Sequence, residues 1–218
     1  MKSNKILTVL AAAAIGVSTA TSLGATQVQT SHAAAEQAKT VKPSKQAKSV
    51  KVAFGKSYTF PKEWAGKWYS NDLLRMEPLD FHKNGLGSPR SGEYAKAVTS
   101  AKLKGTNKYP WQMSADWQAK NAKELNKYVR VSKKKVNGID WIIVTPVGKK
   151  SIDNGFAFAA RTEKLNGKKE TVIFEANPHV GAATQQYFRT KELADKYGKH
   201  QFKNMEYSKW VLLRSKNK

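Results

Sequence analysis

Cysteine is absent from all 218 residues, which excludes disulfides, thiol nucleophiles and any thiolate metal site and leaves the hydrophobic core to hold the fold unaided. Acidic residues are few, 16 against 39 Lys and Arg. Histidine is sparse: His82, His179 and His200 stand far apart, none followed by a second ligand at the two- to four-residue spacing of a metal site. No Gly-x-Ser-x-Gly elbow, His-Glu-x-x-His helix or phosphate-binding loop occurs. Two carboxylates can suffice for glycan hydrolysis. Glu77 and Asp80, however, point to opposite faces of one expected strand, and Glu163, Glu170 and Glu175 lie among Lys and Thr as surface charge partners. No catalytic residue, cofactor or metal is therefore assigned, and the chain reads as a non-enzyme. The alternatives are a secreted glycan hydrolase whose carboxylate pair is assembled from separate strands and, on charge alone, an extracellular nucleic-acid binder.

Long apolar runs are also missing, with one exception at the start. Lys2 and Lys5 precede a mostly apolar stretch, Ile6 to Ala20, shorter than the ~20 residues a membrane span needs. Small residues around Ala33 and Ala35 then offer a cleavage site, so residues 1–35 read as a secretory signal peptide. The expected location is extracellular or loosely cell-wall-associated, as a monomer without a membrane span. Only Lys2 and Lys5 of the 39 cations precede residue 36, so the remainder carries 37 cations against 16 anions, a net charge of +21. Such a field draws a protein to polyanions: anionic wall polymers, acidic host glycans, lipid head groups or shed nucleic acid. Residues 36–50 are polar and basic with nothing to bury, and read as a disordered basic arm before a single domain over 51–218.

What that domain does contain is strand periodicity. Gly66–Ser70 and Leu74–His82 read as strands, 85–92 as a loop, and Tyr94–Leu103 as a further strand. Ser114 is placed to cap a helix ending at Leu125. Asn137-Gly138 and Asn166-Gly167 each separate strand-like runs, the strongest short-range hairpin signal. A three-residue loop at each would oppose Glu163 to Lys169, Phe158 to Phe174 and Lys134 to Asp140, so that loop length is expected. Strands over 128–134, 139–147, 155–164 and 168–176 then form an antiparallel meander. Lys133, Lys134, Lys135, Lys168 and Lys169 fall at one end of it, a basic rim suited to polyanion contact. A polar strand near Ala183–Arg189, a short helix from Thr190 and a last strand over Tyr207–Arg214 complete the expected order.

Six tryptophans supply the large apolar surface. Trp68 and Trp141 read as core, whereas Trp111 and Trp117, in an irregular segment, are candidates for stacking on a small apolar or glycan ligand. The run Trp64-Ala65-Gly66-Lys67-Trp68-Tyr69 resembles the Gly-x-Trp signature of lipocalins and the wider calycin group, and Arg214 is similar to the late arginine of that group. The chain also resembles small secreted lipocalin-like proteins of Gram-positive bacteria whose function is unassigned. The resemblance implies a mainly β fold, an antiparallel meander closing into a lipocalin-like barrel with one or two short helices. A helical turn over Pro61–Gly66 would plug one end, with Arg214 stacked on Trp68. A Thr-Asp-Tyr-type triplet is absent, and residues 85–127 exceed what a plain barrel needs.

Overall fold

The computed structural model describes residues 50–71, 78–88 and 93–209. The expected signal peptide, nearly all of the basic arm, and Arg214 lie outside them. Nine strands form one sheet in sequential order: β1 (Gly66–Trp68), β2 (Leu79–His82), β3 (Gly85–Ser88), β4 (Glu93–Val98), β5 (Tyr128–Val136), β6 (Ile139–Pro146), β7 (Phe156–Leu165), β8 (Lys168–Ala176) and β9 (Ala183–Tyr187). Two helices accompany it, α1 (Ala115–Leu125) and α2 (Lys191–Tyr197). Each begins where a hydroxyl can cap it: Ser114 Oγ accepts the Trp117 N–H and Thr190 Oγ1 the Leu193 N–H.

All neighbouring strands pair antiparallel except β4 and β5, which run parallel. Parallel neighbours require a crossover, and residues 99–127, including α1, provide it. The expected uniform meander is corrected at this pair. One residue beyond β1, Tyr69 exchanges two backbone hydrogen bonds of 2.8 Å with Phe188, one residue beyond β9. Among the described residues no ladder extends that bridge, so the sheet is not closed into a barrel. Tyr207, expected to open a last strand, makes only an isolated parallel bridge to Ala183.

Residues 85–88, expected as loop, are β3. Glycine is used there because the neighbouring backbone comes close: a Cβ on Gly87 would sit 2.1 Å from the Glu93 carbonyl oxygen, and one on Gly85 2.6 Å from that of Ala95.

The hairpin registers also differ from expectation. Both turns have two residues, with Asn137 and Gly138 at φ 51° and 77° and Asn166 and Gly167 at 49° and 80°. Two successive positive φ values are the backbone of a type I′ turn, whose twist matches that of the strands it joins. Glu163 therefore opposes Glu170, Lys134 opposes Trp141 and Phe158 opposes Glu175. The Glu163–Glu170 juxtaposition is relieved along the strand, where Arg161 Nη2 lies 3.1 Å from Glu163 Oε1.

Apolar residues on both faces of the sheet are buried. One face gathers Phe60, Trp64, Trp68, Phe81, Val129, Ile142, Phe158, Ile173 and Tyr187. The other gathers Trp141, Ile143, Leu165, Phe174, Phe188, Phe202 and Met205, with alanines 157, 159, 176 and 183 leaving room for the large rings. The second face is covered by α2 and the segment after it. That segment is pinned by polar contacts: Arg161 donates to the Lys203 and Asn204 carbonyls, Asn137 Nδ2 to Glu206, and Tyr207 Oη to Gln186 Oε1 at 3.1 Å.

Candidate functional site

The Gly-x-Trp stretch is built around a short helical turn. Pro61 leads into a 3-10 turn, Lys62–Trp64, and the buried Trp68 indole donates to the Trp64 carbonyl at 2.7 Å. Gly66 takes φ 100°, a conformation L side chains rarely adopt, and turns the chain from the 3-10 turn into β1. The cation over Trp68 is Arg189, its guanidinium carbon 3.7 Å from the ring centroid. Nη1 donates to the Ala65 carbonyl at 2.8 Å and Nη2 to that of Glu63. One side chain thus ties the end of β9 to the turn and satisfies two carbonyls that the short turn leaves open. Burial lowers the Arg189 pKa from its ordinary value, yet a guanidinium remains charged.

The five lysines expected as a rim are exposed. Both type I′ turns lie at the same end of the sheet, which follows from the pairing of β5 with β6, β6 with β7 and β7 with β8. Lys164 adds to the group, and Lys196 of α2 joins it by donating to Asn166 Oδ1 at 2.6 Å. Lys135 lies 4.0 Å from Asp140; among the described residues, Lys133, Lys134, Lys164, Lys168 and Lys169 enter no ion pair.

Trp111 and Trp117 are separated in role. Trp117 lies in the first turn of α1, half-buried. Trp111 is stacked on Tyr109, centroids 4.6 Å apart and planes 8° from parallel, and the Arg130 guanidinium lies 5.4 Å from its ring. Arg130 is held by donation from Nη2 to the Lys150 carbonyl, 2.5 Å, and burial lowers its pKa. Two residues earlier on the same face of β5, Tyr128 carries Lys96 Nζ 5.8 Å from its ring centroid. Tyr109, Tyr128, Lys96 and Arg130 were not foreseen. The alternation of β5, with Val129 and Val131 buried, was the signal that Tyr128 and Arg130 share its other face.

Titratable groups form three further sets. Asp80 accepts from Tyr94 Oη at 3.2 Å and lies 3.5 Å from His82 Nε2; desolvation first and the Asp80 charge second raise the Tyr94 pKa. Asp153 accepts from Ser151 Oγ at 2.5 Å and pairs with His179 Nε2. The Ser151 bond, then His179, holds its carboxyl below the usual range. Glu175, expected at the surface, is 2% exposed and accepts from Tyr187 Oη at 2.7 Å; its strand neighbour Ile173 faces the same apolar cluster, which places the carboxylate inward. Among the described residues no group of three His, Asp or Glu could hold a metal ion, and no helix is long and apolar enough to cross a membrane. Comparison with family models, curated proteins and solved structures finds no match.

Proposed function

We propose that the protein is a secreted, non-enzymatic β protein that binds anionic polymers, wall polymer or host glycan, through the lysine end of its sheet. The observation that carries this reading is the rim: exposed lysines, all but Lys135 outside any ion pair among the described residues, at two hairpin tips on the same end of the sheet, extended by Lys196. Exposed cations that enter no ion pair remain available to an approaching polyanion. A lipocalin-like barrel is the architecture proposed. Sequential strand order, the Tyr69–Phe188 bridge and an arginine over the Gly-x-Trp tryptophan support it; Arg189 takes the role the resemblance implied for Arg214. The parallel β4–β5 pair departs from it.

The absence of catalysis is proposed on the bonding of the reactive groups. Ser151 donates to Asp153 and His179 engages the other carboxylate oxygen, so the imidazole does not touch the hydroxyl it would have to activate. Glu163 is bound to Arg161, which leaves its cross-strand neighbour Glu170 without a free carboxylate partner.

The test is retention on an anionic matrix against salt. Binding through several lysines falls steeply as ionic strength rises. Replacing Lys133, Lys134, Lys168 and Lys169 by Glu should bring elution to markedly lower salt, whereas the same change at Lys149 and Lys150, at the other end of β6, should matter much less. Equal effects at both ends would sink the rim as the contact surface.

A further inference from the structure

Away from the lysine rim, the outer side of the β4–β5 junction carries a row in which aromatic rings and cations alternate. Lys96 lies against Tyr128, Arg130 against Trp111, and Trp111 against Tyr109. Tyr109, Trp111 and Tyr128 are half-buried and Lys96 is exposed. Strand geometry sets Tyr128 and Arg130 about 7 Å apart on one face. The parallel register places Lys96 beside Tyr128 and Val98 beside Arg130. The row is therefore ordered by the sheet, and its far half by the 3-10 turn at Pro110–Gln112, whose Gln112 side chain accepts the Tyr109 N–H at 2.9 Å.

A charge-only surface needs none of these rings. Tyr128 also packs edge to face on the buried Phe54, centroids 5.0 Å apart, but that packing does not require a cation beside each ring. Glu124, four residues before Tyr128, is already engaged by Lys127 at 2.6 Å. The row thus sets partly accessible rings beside cations. A ligand that complements both must itself carry flat rings and negative charge in regular alternation. Single-stranded nucleic acid does: its bases stack on aromatic side chains and on guanidinium planes while its phosphates meet the cations.

We propose that Tyr109, Trp111, Tyr128, Lys96 and Arg130 form a base-stacking site for single-stranded nucleic acid. The site rests on the polyanion reading for the field that brings the strand in, but its selectivity is its own. Stacking does not read sequence, because every base has a π face, so the site accepts any unpaired strand and prefers it to a duplex whose bases are already stacked.

The experiment uses the full chain and three probes: oligothymidylate of about 15 nucleotides, inorganic polyphosphate and heparin, with affinity read by fluorescence anisotropy or competition. Trp111→Ala and Tyr128→Ala should each weaken oligothymidylate about tenfold and leave polyphosphate and heparin unchanged, while Trp111→Phe should restore most of the loss. Arg130→Gln is the second variant, in case removal of a ring disturbs the fold, and should act in the same direction. Lys168→Gln with Lys169→Gln should weaken all three probes together. If the ring variants bind oligothymidylate as the wild type does, or lose all three probes equally, the stacking site is overturned and the polyanion reading stands. Loss of heparin alone overturns it in favour of a glycan. A wild-type chain that binds none of the probes overturns both readings.

Discussion

Arg189 lies over the face of Trp68 at 3.7 Å while its two terminal nitrogens bond the carbonyls of Ala65 and Glu63. The residue just past the last strand therefore closes on the turn before the first, next to the Tyr69–Phe188 bridge. A guanidinium suits this place because its flat face stacks while its edge donates in a fork, which an ammonium cannot do.

Arg189→Ala removes a cation–π contact and two charge-assisted hydrogen bonds, and should lower stability by about 2–4 kcal/mol. Arg189→Lys should recover less than half of that. Urea unfolding with an unchanged slope measures both, and an alanine variant as stable as the wild type would remove the Arg189 contacts from the account of stability.

Gly87→Ala should be among the most damaging single-methyl changes in the chain, since its Cβ would meet backbone at 2.1 Å and β3 would have to part from β4. Gly148→Ala, with nothing within 4 Å of the added Cβ, is the control. The expected difference is at least ~2 kcal/mol, visible as a separation of thermal midpoints.

Gly167→Ala places a side chain at φ 80° in the type I′ turn and should cost about 1 kcal/mol. Tyr197→Phe should add to the loosening of this tip, because the Tyr197 hydroxyl donates to Asn166 Oδ1 and accepts the Asn166 N–H. Faster amide exchange confined to 164–169 is the readout.

Tyr207 is pushed up to about 12 from an ordinary 10.0, chiefly by burial. A phenol raised in the folded state contributes its full stability below the unfolded value and loses it as pH climbs through the folded one. Unfolding by alkali should therefore steepen between about pH 10 and 12, and Tyr207→Phe should flatten that limb. Phenolate absorbance followed alongside circular dichroism distinguishes this tyrosine from exposed ones that titrate without unfolding.

The Asp153 carboxyl should titrate below a free aspartate, and Ser151→Ala and His179→Ala should each raise its pKa, since the serine hydrogen bond is the largest single cause and His179 adds to it. Carbon-detected titration of the carboxyl tests both. The contribution to stability runs the other way from Tyr207: it is present above the unfolded pKa and is lost as pH falls through the folded one.

Much of the β architecture was legible locally. Ser114 and Thr190 announced two helix starts, Asn-Gly pairs marked two hairpins, and four central strands fell close to their expected bounds. Turn length was misjudged for a definite reason. Alternation fixes register only where one face of a sheet is buried and the other wet, and here Phe158 and Phe174 are buried on opposite faces. With apolar partners on both sides, a one-residue slip seemed as good as the true register, and the backbone twist of the type I′ turn decided it.

The sequence by itself determined the charge, the lack of thiol chemistry, the strand periodicity and the turn before Trp68, because each depends on residue type or on neighbours a few positions away. Tertiary structure alone decided that β4 and β5 run parallel, that Gly85 and Gly87 belong to a strand, and that Arg189 covers Trp68. It also decided that Trp111 finds Tyr109 and Arg130. The longest of these relations, Arg189 over Trp68, joins residues 189 − 68 = 121 positions apart in the chain. Such partners meet only once the sheet has formed, and no local pattern encodes which of many lysines or arginines will be the one within reach.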